Sequence, residues 1–169
     1  PRFGMLETIR EYALEQLERS GELHLLRQLH LDYFLALAEE IEPRLTGHDQ
    51  IKLLHQLDHE HDNLRAALTY CQTLPGGVEL GLRLAAALWW FWWVRGHIRE
   101  GRNWLENLLL QSSALASSKS LIQIRATAHY RAAFLAMMQD DYHKAHSLST
   151  ESLSLFRGLS DAHGIAWAT

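Results

Sequence analysis

Three histidines and three acids are crowded into eight residues: His55, Asp58, His59, Glu60, His61 and Asp62. His55 and His59 are four apart and share a helical face, where paired imidazoles can hold Zn²⁺ or Ni²⁺ while a carboxylate completes the shell. His55, His59 and His61 are therefore the candidate metal ligands, and a metal-dependent hydrolase is the enzymatic reading they allow. The spacing is not His-Glu-x-x-His, and a charged, solvated helix end accounts for the same residues without an ion. His143 and His146, three apart, form a second such pair. Arg95, His97, Arg99 and Arg102 form the only dense basic cluster, suited to an acidic partner segment or a phosphate-bearing effector. As a hairpin turn the same cluster is simply solvated, with Arg99 and Arg102 paired to Glu100 and Glu106 at ~0–1 kcal/mol. Cys71 is the one thiol, and no local motif marks it as a nucleophile, so a buried structural role is expected. No Gly-x-x-x-x-Gly-Lys-Ser/Thr loop and no apolar strand ending in paired acids is present. No catalytic residue and no cofactor is expected.

The run Trp89-Trp90-Phe91-Trp92-Trp93 is the other chemically distinctive stretch. At about 100° per residue these rings point around the whole circumference of a helix, so neighbouring helices must cover it on most sides. The uninterrupted apolar run from Leu84 to Val94 is 11 residues, well short of the ~20 a bilayer needs. No membrane association is expected. Packing is the first use for such rings, but five directions cannot all be core in a thin two-layer array. Trp89, Trp92 and Trp93, together with Arg95, Arg99 and Arg102, are the candidate partner-binding residues.

The elements that must position these residues are all helical. Apolar residues recur at three-and-four spacing nearly throughout, and no alternating run marks a strand. The chain has 169 residues, 47% hydrophobic and 21% charged, with net charge −4 and pI near 6.3. That balance argues against nucleic-acid binding by bulk electrostatics. A single cysteine permits no internal disulfide and points to a reducing, cytoplasmic setting. The chain opens without Met or an apolar leader and closes on helix-like sequence, so a piece of a longer protein is expected.

The spacing predicts a first helix with Leu6, Ile9, Ala13 and Leu17 on one face, stopped by Gly21. A second runs from about Glu22 to Glu42 with Leu26, Leu29, Tyr33, Leu37 and Ile41 inward. Leu53, Leu54 and Leu57 mark a third, and Asp62 is placed to cap a fourth. Pro75-Gly76-Gly77 breaks the chain. Helix pairs follow: about Val78 to Val94 with a partner holding Ile98 to Leu108, then Leu121 to Met138 with Tyr142 to Arg157, and a last helix from Asp161. A serine-rich loop, Gln111 to Ser120, separates the pairs.

Ala133 and Ala145 lie 12 residues apart, small residues that let antiparallel helices approach, with Leu135, Ala136, Tyr142 and Leu148 filling the seam. This resembles the tetratricopeptide repeat (TPR), a helix–turn–helix unit of about 34 residues. Trp89 and Gly101 hold the same two places in the first pair.

Three segments carry a further resemblance. Arg2-Phe3-Gly4-Met5-Leu6-Glu7-Thr8-Ile9-Arg10-Glu11-Tyr12-Ala13 resembles the end of the winged-helix segment of bacterial STAND-class ATPase regulators. Glu60-His61-Asp62-Asn63-Leu64-Arg65-Ala66-Ala67-Leu68 resembles their helical linker, and Arg95 to Glu106 resembles the hairpin that opens their TPR-like sensor array. The resemblance implies a large cytoplasmic regulator that switches on ATP and an inducer, often with a LuxR-type or related DNA-binding domain elsewhere. It divides the chain into the last helix of a winged-helix-like segment (1–20), a helical linker (21–75) and TPR-like helix pairs (76–169).

The expected fold is thus all-α, an α-α superhelix of antiparallel helix hairpins. The expected role is that of a non-enzymatic sensor and interaction arm. Its groove takes a protein or peptide partner or a small effector, and the arm docks on the ATPase module of the same parent chain without touching nucleic acid. The alternative is a stand-alone TPR adaptor that binds a peptide segment.

Overall fold

A computed structural model describes residues 7–116 and 118–168, the side chains at 7, 8 and 10 excepted. Residues 2–6 of the winged-helix-like segment, Leu6 of the first apolar face among them, lie outside the described residues. Among those described there are only helices: α1 (Glu7–Ser20), α2 (Leu23–Ile41), α3 (Gln50–Thr73), α4 (Gly77–Ala87), α5 (Trp89–Val94), α6 (Ile98–Ser112), α7 (Lys119–Met137), α8 (Tyr142–Gly158) and α9 (Ala162–Ala168). A 3₁₀ turn, Glu42–Arg44, follows α2 and carries Pro43. The fold is all-α, built of helix hairpins joined by short turns. No helix among the described residues is long and apolar enough to cross a membrane.

One core runs without a break from Leu31 on α2 to Leu148 on α8, so the linker and the hairpins share their interior. A smaller cluster of Ala126, Phe156 and Ala168 seats α9 at the far end. Gly21 and Gly76 take positive φ, +75° and +76°, as the stops after α1 and before α4 require.

Two expectations about the linker are corrected. The helix marked by Leu53, Leu54 and Leu57 and the one read from Asp62 are a single 24-residue α3. Asp62 does not cap a helix; it sits mid-helix with its side chain 93% exposed, beside Arg65 at 3.3 Å. No Gly or Pro interrupts His55–Asp62; His55, His59 and Asp62 lie on the exposed side of a continuous helix, while His61 faces inward.

On α2 the inward stripe is also different. Leu31, Phe34, Leu35, Ala38 and Ile41 are buried, whereas Leu26, Leu29 and Tyr33 are 44%, 55% and 61% exposed. Both stripes have helical spacing, and α3 and α4 cover only the one they face. Among the described residues Leu25, Leu26, Leu29 and Tyr33 form an exposed apolar strip.

The aromatic run forms α5, set off from α4 by a turn at Leu88 (φ −89°, ψ −4°). Phe91 and Trp92 have no exposure, while Trp89, Trp90 and Trp93 are half-buried. Trp92, not Trp89, lies across Gly101 of α6: a Cβ at Gly101 would collide with Trp92 Cε3 and overlap the ring. In the next hairpin Ala133 is buried and Ala145 half-buried, with Leu135, Ala136 and Leu148 in the core; Tyr142 stays exposed. The serine-rich segment is shorter as a loop than its composition suggests. α6 continues to Ser112, whose fully buried hydroxyl donates to the Leu109 carbonyl at 2.7 Å, and Ser118 caps α7 by accepting from Leu121 N–H at 3.0 Å.

Candidate functional site

Three helices, α5, α7 and α9, line a groove of about 410 Å³ that is closed at one side by Glu42 and Pro43. Three rings run along it: Trp89, Tyr130 and Trp167, with centroids 6.3 Å apart for the first pair and 6.1 Å for the second. Trp167 is 58% exposed among the described residues. Rings of this kind give large contact area with few rotatable bonds, which suits them to anchor apolar or aromatic groups.

Arg131 is the charged feature of the groove. Its guanidinium donates to the Ala86 carbonyl at 2.5 Å and to Glu42 Oε1 at 2.7 Å, and lies 5.8 Å from the Trp89 ring centroid. Trp89 Nε1–H donates to the same Glu42 oxygen at 3.2 Å. Burial presses the Arg131 pKa downward, and Glu42 opposes that effect. Its side chain is 17% exposed and that of Glu42 25%, so the pair is largely desolvated. Replacing Arg131 with Met should lower stability by about 2–3 kcal/mol in urea unfolding, because the Glu42 charge and the Ala86 carbonyl lose their partner. A loss below about 0.5 kcal/mol would mean that water replaces the guanidinium and that the pair is not structural.

At the rim, Asp161 Oδ1 accepts from the backbone N–H of His163 at 3.1 Å and of Gly164 at 3.0 Å, which starts α9. Those bonds and one from Gln123 hold the Asp161 carboxyl below the usual range. A second cavity, of about 460 Å³, lies between α1, α2 and α3 and is lined mainly by Leu14, Leu17, Leu23, Leu26 and Tyr70. It is mainly apolar, with Arg27, His30, Thr69 and Thr73 as its other polar lining.

The residues singled out from the sequence are dispersed. Trp89 lines the groove. Trp93 packs edge-on against Trp90 and Phe134 instead, and Trp92 is buried under Gly101. Arg95 pairs with Asp58 of α3 at 2.7 Å. Arg102 bonds Glu106 and Asp141 at 2.5 Å each, tying α6 to the start of α8. Arg99 is exposed and makes no ion pair among the described residues. None of the three arginines lines the groove.

His55 and His59 are exposed on α3, where His59 Nδ1 lies 2.6 Å from the His55 carbonyl. His61 is turned away from both, toward His97 and Glu100. Asp58 and Asp62 are committed to arginines. Cys71 is buried, and burial raises its pKa to about 11, which leaves a neutral, unreactive thiol.

The sequence reading missed Tyr130, Arg131 and Trp167. An available signal was the placing of Trp89, Tyr130 and Trp167 on α5, α7 and α9, alternate helices of a stacked array.

Over 108 residues, 64% of its length, the chain is 38% identical to proteins of Mycobacterium tuberculosis strain H37Rv and Mycobacterium bovis, each named "Putative HTH-type transcriptional regulator". The match covers 12% of those proteins, so the chain spans about an eighth of the length of these relatives. No family model matches the chain. No solved structure matches it either.

Proposed function

We propose that this chain is a non-enzymatic sensor and interaction arm of a helix-turn-helix transcriptional regulator of the STAND ATPase class, LuxR-type or related. Its groove takes a small effector or a peptide segment of a partner protein. The observation that carries this reading is the aromatic row Trp89–Tyr130–Trp167, drawn from α5, α7 and α9 along one groove. The similarity to long mycobacterial regulators supports the regulatory setting. The exposed strip of Leu25, Leu26, Leu29 and Tyr33 supports docking of the linker end on an ATPase module.

Binding in the groove shifts the balance between docked and released arms by its differential affinity for the two. The arm supplies no phosphate loop, so ATP hydrolysis belongs to the module it docks on. TPR-type stacking is the geometry by which successive helix pairs extend one continuous groove wall.

The reading frame on either side of Pro1 and Thr169 provides the first test. A Gly-x-x-x-x-Gly-Lys-Ser/Thr loop upstream and further helix pairs downstream are expected. A start codon near Pro1 without such a loop would leave a free-standing peptide-binding adaptor instead. In the parent regulator, Trp89→Ala combined with Trp167→Ala should abolish induction of a reporter while leaving protein level unchanged. Normal induction by that double variant would sink the groove as the sensing site.

A further inference from the structure

Beyond the groove, the structure gathers a second set of chemical groups where the linker meets the first hairpin. His61 comes from α3, His97 from the α5–α6 turn and Glu100 from the first turn of α6. One ligand atom from each lies within 4.8 Å of the other two. The imidazoles are 4.4 Å apart between centroids and inclined at 47°. We propose that His61, His97 and Glu100 form a binding site for a divalent transition-metal ion of the Zn²⁺ class, which clamps α3 to the α5–α6 hairpin.

Three observations carry the assignment. His61 Nε2 is buried, and the Glu100 carboxylate faces it with Oε1 at 3.3 Å. With metal–ligand bonds of about 2.0–2.1 Å, the edge of a tetrahedral site is about 3.3–3.4 Å, which is the separation these two atoms already have. Second, Arg65 grips both oxygens of Glu100, at 2.7 and 2.6 Å, and fixes the carboxylate's orientation. An outer partner of this sort is the usual support of a ligating carboxylate, which retains a lone pair for the ion. Third, Phe91 lies edge-on to His61 at 5.1 Å and close to His97 at 5.8 Å, so one side of the cluster is walled by an apolar ring.

The donor set decides the class of ion. Two imidazole nitrogens and one carboxylate oxygen suit Zn²⁺, Co²⁺ or Ni²⁺, whereas Ca²⁺ and Mg²⁺ call for oxygen ligands. Three protein ligands leave a fourth position for water or for a group brought by a partner. The positive charge of Arg65 beside the ion limits affinity, which is the behaviour of a site that loads and unloads with supply.

The test is titration of the chain with Co²⁺, read by visible absorption, and with Zn²⁺, read by calorimetry and melting temperature. One ion per chain is expected, with a rise in melting temperature on Zn²⁺ addition. His97→Ala removes one of three direct ligands and should weaken binding by roughly 100-fold or more, beyond the loss of an outer-shell partner, and remove the rise. The double variant His55→Ala, His59→Ala should bind as the parent does. Circular dichroism checks that His97→Ala stays folded, with His97→Gln as the substitute if it does not. No saturable uptake below about 100 µM, a free energy of only ~5 kcal/mol, overturns the proposal. So does binding that survives loss of His97 but not loss of His55 and His59, since that would place the ion on the exposed face of α3.

Discussion

Trp92→Ala is expected to lower the stability of the chain by about 3–5 kcal/mol, the range for truncating a fully buried aromatic. Trp92 has no exposure, and its ring fills the space above Gly101 where α5 meets α6. A domain of this size is stable by roughly 5–15 kcal/mol, so the variant should be largely unfolded in mild urea. The partner substitution makes the expectation sharper. Gly101→Ala alone should destabilise by about 1–3 kcal/mol, because its methyl group would overlap a ring backed by the core. In the Trp92→Ala background the same change should be neutral or favourable, since Ala is better than Gly in a helix by roughly 1 kcal/mol. Urea unfolding of the four proteins would show the sign reversing. Additive effects would mean that Trp92 and Gly101 do not touch.

Stability is expected to fall as pH drops from about 6.5 to 4, and His129 is the main cause. This ring sits on α7 with 9% exposure, and its Nδ1 is buried without a hydrogen-bond partner. Desolvation lowers its pKa to about 4; Glu151 opposes the shift, and Arg125 and Lys144 reinforce it. The folded state therefore binds the proton less readily than the unfolded one. Stability from this residue is fully present above pH 6.5 and is lost progressively down to about pH 4, by about 3 kcal/mol in all. His61 and His30, whose pKa values burial also lowers, act in the same direction. Glu100 acts at more acid pH, because Arg65 holds its carboxyl below the ordinary value. His129→Leu should flatten most of the slope of melting temperature against pH between 6.5 and 4. An unchanged slope would show that His129 is solvated and titrates normally.

Helix content and the hairpin order could be read from the sequence because three-and-four spacing and the Gly and Pro stops are local signals. Which face of α2 is buried could not. Leu26–Leu29–Tyr33 and Leu31–Phe34–Ala38 are both valid helical stripes, and only the position of α3 and α4 decides between them. Asp62 misled for a related reason: a good cap residue inside a helix without a breaker is just a solvated side chain. The aromatic run was legible as core, but not which ring would face the groove. That depends on the turn at Leu88, which rotates Trp92 onto Gly101 and leaves Trp89 toward Tyr130. Arg131 gave no sequence signal, since a lone arginine on an apolar helix reads as a snorkelling surface residue.

The seat of α9 has a consequence for the groove. Its Gly164 lies against the Phe156 ring of α8, and Ile165 and Ala168 pack with Ala126 of α7 and with Leu153 and Leu155 of α8. Trp167, one wall of the groove, rides on that element. A molecule that stacks on Trp167 must hold α9 in place, so occupancy of the groove and slowed amide exchange along α9 are two views of one event.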